Sequence, residues 1–594
     1  MASTRRWGND LWWYAGAVAA GSVLIVVTAI SQPYNQNEIK QIEPYGSTDL
    51  SEIIGGTRQP PLDPLLGALV QHLLGEGQLR QRLVPVLAGI GVLVILGLFV
   101  RRTGLGYAGA FGVLFVALQP VMVHYSGYAR PYALPLFFAV LFAYAAHRWM
   151  EELRTRWLFV AVVAACALPL TRVPEPNIFL LAAAATLTWL LLRGRRTWSQ
   201  AGPLVALALA AVAFIGYPLY RSLASSTAPQ FDPSPSAIAA RFPGGAREVL
   251  THVVPWMGDW FPWWPLTAVI VVSAFVVGSS RRRLLGEWGW AFWPLLVAPL
   301  GFLLAYHFLI PPSYAARPYR DRYAYFFLPA FGMLIAALAA AVEDPRGGGR
   351  RARLALAAVL GVGLLAQLPA TAKVLTVDVS PDFAQAGQVL VRELPANASV
   401  LYATPLPMPK YRLPFEKLQV PTYQMPTILD PRFLAQRPRG APTRGPVYVL
   451  VLAGECANTH YCDKPAPVWN HDVPGWQVKA SFDRFTLYAA KDPKSGRRAV
   501  LDALVSFAGA FGPELGMLET YAAASLLDAE GHSRAAHELV SAALRNLDPV
   551  TRKAYRDYAN SHGYNPFEPA SDPAGAQSGP VVDRQERPKH AAGE

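Results

Sequence analysis

Charge is scarce in this sequence: only 16% of its 594 residues are Asp, Glu, Lys or Arg, and 53% are hydrophobic. Soluble domains carry about 25% charged residues, so the composition excludes an ordinary water-soluble chain and indicates an integral membrane protein. Cysteine is almost absent, with three in all. No basic helix and no aromatic-and-basic sheet motif accompanies the net charge of +13, so that charge does not point to nucleic acid. No small-residue cleavage site follows the first apolar run, which is too long for a signal-peptide core, so the segment is expected to stay in the membrane. Transporters often show internal repeats and charged sites near the bilayer midplane, and neither pattern is present.

What the sequence does contain is a series of long apolar runs. Runs able to cross roughly 30 Å of hydrocarbon begin at Leu11, Leu83, Tyr107, Tyr132, Trp157, Ile178, Pro203, Trp263, Trp290, Tyr325 and Leu354. They predict a polytopic α-helical membrane protein of about eleven spans. If each run crosses once, the Arg5–Arg6, Arg101–Arg102, Arg148/Arg154/Arg156, Arg193/Arg195/Arg196, Arg281–Arg283 and Arg346/Arg350/Arg351 clusters all share one side. Short cytoplasmic loops retain Lys and Arg, which makes that side the cytoplasm. The opposite side receives residues 31–82, 125–130, 171–177, 221–262, 310–323 and everything after Lys373.

On that exported side the ionisable residues lie at span ends, where proximity to hydrocarbon makes them candidates for function. The first loop concentrates Glu38, Glu43, Asp49, Glu52 and Arg58 and leads into Pro60–Pro61–Leu62. Glu175 sits between two spans beside Arg172, where it either pairs with that arginine or serves as a second carboxylate. The 221–262 loop ends in Trp256, Trp260, Trp263 and Trp264, which favour the headgroup layer; an interfacial helix is expected over 237–254.

Beyond residue 373 the pattern changes. Residues 374–495 carry short β-rich runs and read as an exported α/β domain, residues 496–565 read as a helical hairpin, and 566–594, without periodicity, as a disordered tail. Cys166 lies within a span and suits apolar packing. Cys456 and Cys462 bracket a short loop, and outside the cytoplasm a disulfide is the expected state. A metal site with His460 lacks a fourth ligand and zinc-like spacing.

The order of several motifs resembles a known family. The acid in the first exported loop, Pro60–Pro61–Leu62, Gly75–Glu76 with Arg82, Arg101–Arg102, Gln119–Pro120, Ser126–Gly127–Tyr128–Ala129–Arg130–Pro131–Tyr132, and Asp321–Arg322–Tyr323 before Phe327–Leu328–Pro329 resemble the GT-C fold glycosyltransferases. The likeness is to the bacterial branch related to protein O-mannosyltransferases and lipid A aminoarabinose transferases, and it covers roughly residues 1–345. Two positions depart from the pattern: Asn37 stands where the family has an acid, and Gln59 where it has His. The first departure implies a changed acceptor, a different metal requirement or an inactive relative.

The resemblance implies a sugar donor linked to polyprenyl phosphate, a lipid, glycan or protein acceptor, and chemistry on the non-cytoplasmic face of a bacterial inner membrane, with the C-terminal domain in the periplasm. A divalent cation such as magnesium or manganese is an open cofactor. Inverting transfer needs a carboxylate to take the acceptor's proton and cations to hold the departing phosphate. Glu38 is expected as the base, with Glu175 as a second carboxylate. Arg130 and Arg322 are expected on the phosphate, because a guanidinium offers bidentate geometry, with Arg58 as a third cation. Tyr132 and Tyr323 are expected on phosphate oxygens or against the sugar ring. The alternatives are a flippase or transporter of lipid-linked glycans and a catalytically silent membrane scaffold.

Overall fold

A computed structural model describes residues 10–32, 34, 38, 41–56, 60–172, 175–219, 222, 264–285, 289–309, 325–343, 349–376, 389–390, 392–395, 398–403, 422–424, 445–452, 471–482, 485–492, 496–515, 520, 523–524, 527, 531–547 and 552. The chain divides into two compact units.

The first unit is helical. Its elements are α1 (Leu11–Ser31), α2 (Leu50–Gly56), α3 (Leu62–Leu74), α4 (Leu83–Arg102), α5 (Gly106–Ala117), α6 (Pro120–Ser126), α7 (Ala133–Glu152), α8 (Thr155–Thr171) and α9 (Glu175–Leu192). They continue with α10 (Trp198–Ala211), α11 (Trp264–Val276), α12 (Gly278–Leu285), α13 (Gly289–Leu309), α14 (Leu328–Glu343), α15 (Arg350–Leu365) and α16 (Leu368–Thr376). Among the described residues seven helical stretches are long and apolar enough to cross a membrane, or eight if the bent pair α5–α6 is one span. Every one of the eleven predicted runs falls in a helix, yet the count by length and composition is lower. The α8 helix, with 17 residues, is one residue shorter than the shortest of the seven, which has 18, and α11 adjoins residues outside the described set. Seven or eight spans still make this a multi-span membrane protein.

Two local features aim the segment that matters most. Between α5 and α6 the chain bends by 62°, because Pro120 has no N–H to continue the ladder and its ring restricts Gln119 to extended backbone. The Leu118 carbonyl freed by the break accepts a hydrogen bond from Thr371 Oγ1 at 2.6 Å. Helices α5 and α14 cross closely: a Cβ placed on Gly112 would meet the Gly332 carbonyl oxygen at 2.5 Å. Small residues permit such approach where lipid supplies no hydrophobic drive.

Helix α3 is amphipathic in an inverted sense. Asp63, Gly67 and Gln71, spaced by four, are buried, whereas Leu69, Leu73 and Leu74 are exposed. Such a helix suits an interface where its leucines meet acyl chains and its polar stripe meets protein. Gly75, in the left-handed region, ends it.

The second unit holds a five-stranded sheet in the order β2-β1-β3-β5-β4, from β1 (Ser399–Ala403), β2 (Thr422–Gln424), β3 (Val447–Leu452), β4 (Trp476–Phe482) and β5 (Phe485–Ala490). The first three are parallel, while β3–β5 and β5–β4 are antiparallel. Helix α17 (Gly496–Leu515) closes its core by setting Phe507 against Trp476 and Tyr488, at ring separations of 5.5 and 5.3 Å. Helix α18 (Ser533–Arg545) follows.

Candidate active site

The centre of the site is the segment from His124 to Tyr132, which the Gln119–Pro120 bend directs. Its aromatic side chains form a platform: Tyr125 lies 4.9 Å from His124 and 5.0 Å from Tyr132, and Tyr128 stacks on Tyr132 at 6.2 Å. Tyr325 joins from the start of the α14 span, its ring 6.0 Å from Tyr125 and its hydroxyl 3.0 Å from Ser126 Oγ. Aromatic pairs at these separations prefer edge-to-face or offset geometry, which fixes the rings relative to one another.

Glu38 reaches this segment from the first loop. It is fully buried, and both of its oxygens are engaged: Arg82 donates from Nε to Oε1 and from Nη2 to Oε2, each at 2.8 Å, and the Ala129 N–H donates to Oε1 at 2.7 Å. Arg82 Nη1 donates further to the carbonyls of Ala29, at 2.9 Å, and Gln32, at 2.7 Å. The Tyr34 ring lies 4.8 Å from the guanidinium carbon. Glu38 and Arg82 therefore tie the end of α1, the first loop, the start of α4 and the 124–132 segment into one joint.

On the other flank Glu175, also buried, accepts a hydrogen bond from Arg172 Nε at 2.7 Å. The Arg172 guanidinium lies over Tyr132 at 4.9 Å and Phe326 at 5.8 Å. Among the described residues Oε2 of Glu175 has no hydrogen-bond partner.

A third carboxylate lies on the polar stripe of α3. Gln41 Nε2 donates to Asp63 Oδ2 at 2.6 Å. Burial pushes the Asp63 carboxyl up to about 6, against the pull of Gln41, of the Arg130 charge and of a hydrogen bond from Tyr45. Burial likewise holds the Tyr45 phenol well above its usual range, so Tyr45 acts as a neutral donor. Gly67 leaves room for that ring: a Cβ there would sit 2.7 Å from the Tyr45 hydroxyl.

The structure thus brings Glu38, Arg130 and Tyr132 to one segment and sets Glu175 beside it. Arg58, Arg322, Tyr323, Cys456 and Cys462 lie outside the described residues, as do Asn37 and the 237–254 stretch. Sequence reasoning passed over Asp63, Gln41, Tyr45, His124, Tyr125 and Tyr325, and gave Arg82 no role. A signal for Asp63 was present, since it shares a helical stripe with Gly67 and Gln71 while leucines occupy the other face. Among the described residues no three His, Cys, Asp or Glu gather as metal ligands. Among the described residues Glu38 is bonded to Arg82 and Ala129, and Glu175 is paired through one oxygen with Arg172.

Residues 58–218 match the family model described as dolichyl-phosphate-mannose-protein mannosyltransferase. Solved structures similar to this chain include ArnT from Cupriavidus metallidurans in the apo state, at 13% identity over 81% of this chain and 98% of that one, with a TM-score of 0.47. The same protein bound to undecaprenyl phosphate gives 14% identity over 80% and 98%, with a TM-score of 0.49. The oligosaccharyltransferase AglB from Archaeoglobus fulgidus, in complex with an inhibitory peptide and a dolichol-phosphate, gives 12% identity over 75% and 70%, with a TM-score of 0.43. Comparison with curated proteins finds no match. The likeness to membrane glycosyltransferases of the protein O-mannosyltransferase kind thus rests on a match over residues 58–218, the segment that holds Asp63, Arg82, the 124–132 platform, Arg172 and Glu175.

Proposed function

We propose that this protein is a membrane glycosyltransferase that moves a sugar, with inversion, from a polyprenyl-phosphate carrier to a lipid, glycan or protein acceptor on the non-cytoplasmic face. The observation that carries the reading is the convergence on residues 124–132 of a half-buried cation, an aromatic platform and a buried carboxylate with one oxygen unpartnered among the described residues. The family match over 58–218 supports it.

Each part has a chemical task. Arg130 holds the carrier phosphate and stabilises the charge that grows on it as the glycosidic C–O bond breaks. Arg58 and Arg322 are further cations for the same phosphate, and Tyr323 a further donor. Tyr132 and its neighbours offer ring faces to the sugar or the first isoprene units. Glu175 takes the proton from the acceptor hydroxyl through Oε2, the acceptor oxygen bonds to the anomeric carbon, and polyprenyl phosphate departs. Glu38, with both oxygens occupied, holds the Ala129–Arg130 backbone in place rather than accepting the proton. A disulfide between Cys456 and Cys462 and a periplasmic location for the C-terminal unit complete the reading.

Purified protein in lipid nanodiscs, supplied with a polyprenyl-phosphate sugar and a crude acceptor extract, tests it. Release of polyprenyl phosphate that Glu175→Gln slows by about 10² to 10⁴ is the expected result. Sugar-lipid that crosses the bilayer without release of polyprenyl phosphate would indicate a flippase instead.

A further inference from the structure

Asp63 is the carboxylate to which the reading above gives no task, and its surroundings are unlike those of the other two. Glu38 meets Arg82 and Glu175 meets Arg172 in ion pairs at 2.8 and 2.7 Å. No salt bridge reaches Asp63 among the described residues; its hydrogen bonds come from the neutral groups of Gln41 and Tyr45. The cation whose charge favours its ionised form is Arg130. One contact brings that arginine's backbone to α3: Ala129, whose N–H is held by Glu38, belongs to one apolar cluster with Ile42, Tyr45, Ile53 and Ala68. Arg130 thus adjoins the platform along the chain, and its charge acts on a buried carboxylate of α3.

We propose that Asp63 is a positioning residue, the buried counter-charge that sets the grip of Arg130 on the carrier phosphate and takes up a proton as that phosphate binds. The idea rests on the phosphate role given to Arg130 above. An ionised Asp63 cancels part of the Arg130 field, and a protonated one leaves that field to the ligand. By linkage, an anion on Arg130 raises the proton affinity of Asp63. Burial already places that carboxyl at about 6, so the uptake falls near neutrality. Other groups around α3 are Tyr45 from the preceding turn, Glu38 and Arg82 beyond it, and Arg80 from the turn that follows. Glu52 and His72 lie on the exposed side, each bonded to Ser47.

The test uses the full chain in nanodiscs and a methyl diester of undecaprenyl phosphate, which keeps a single negative charge where a monoester would itself titrate. Wild type is expected to bind the diester about tenfold more tightly at pH 5 than at pH 7.5, the effect of a one-unit shift. Calorimetry in buffers of different ionisation enthalpy should show proton uptake on binding. Asp63→Asn should bind tightly at both pH values with no proton uptake. Should that variant fail to fold, Tyr45→Phe decides: it removes a donor that favours the charged carboxylate, so the binding transition moves to higher pH. Diester binding by wild type without pH dependence, an Asp63→Asn protein that keeps the wild-type profile, or an unmoved transition in Tyr45→Phe overturns the role of Asp63 alone. A wild type that binds no diester at any pH overturns the phosphate site as well.

Discussion

At the scale of single residues, the Glu38–Arg82 pair is withdrawn from water, which costs several kcal/mol per ion before any attraction is counted. The geometry offsets that cost by filling the guanidinium: two bonds to the carboxylate and two to the Ala29 and Gln32 carbonyls. Removing one partner strands the other, so Glu38→Ala should destabilise the protein by roughly 3–5 kcal/mol, read as a lower unfolding midpoint. Arg82→Ala added to it should cost little more, since coupled partners do not add; fully additive losses would show that the pair is not the unit. Asp63 sets a pH dependence of stability. Its folded pKa of about 6 lies above the ordinary 3.8, so the folded state binds the proton more tightly. Its contribution to stability is complete below about pH 4 and is lost as pH rises through 6. Stability measured across that window should fall in wild type, and the fall should be smaller in Asp63→Asn. The importance of Glu38 was visible in the sequence as an acid next to hydrocarbon, but its ion pair was not, because nothing local shows that Arg82, 44 positions later, will meet it. Asp63 was hidden for another reason: an acid in the first turn of a helix reads as a dipole partner.

Among elements, the apolar runs were legible because bilayer thickness dictates their length, and each predicted run overlaps a described helix. The bend at Gln119–Pro120 was visible only as a dipeptide; what makes it a directed break is Thr371, more than 250 positions away, on the Leu118 carbonyl. Close crossings depend on residues without side chains to announce them. Gly112→Ala would press a methyl against the Gly332 carbonyl oxygen at 2.5 Å and the Ala336 Cβ at 2.8 Å. Overpacking of that kind costs about 1–3 kcal/mol, more than the helix propensity gained, which is about 1 kcal/mol. Thermal unfolding of the purified variant checks the sign, and an unchanged or higher midpoint would mean the crossing is looser than described.

For the whole molecule, the proposed sidedness rests on two opposite ends of the helical unit. At one end Glu152 gathers Arg102, Arg148, Arg154 and Arg156, and the Trp149 indole donates to the Gln200 carbonyl at 2.8 Å. The arginine clusters that positive-inside reasoning assigned to the cytoplasm are therefore neighbours at the ends of α4 and α7. The other ends of those helices carry Arg82 and the 124–132 platform, which supports the exported placement of the site. Cysteines introduced at residues 281–283, in α12, should label only after the membrane is opened, and those introduced after residue 374 should label in intact cells. The most direct measurement of the central claim is an experimental structure of the protein with undecaprenyl phosphate bound. The account predicts the phosphate within hydrogen-bond distance of Arg130, with the first isoprene units beside the tyrosine platform and the Glu38–Arg82 pair unbroken. Phosphate bound away from residues 124–132, or held by Arg82 after Glu38 has let go, would contradict it.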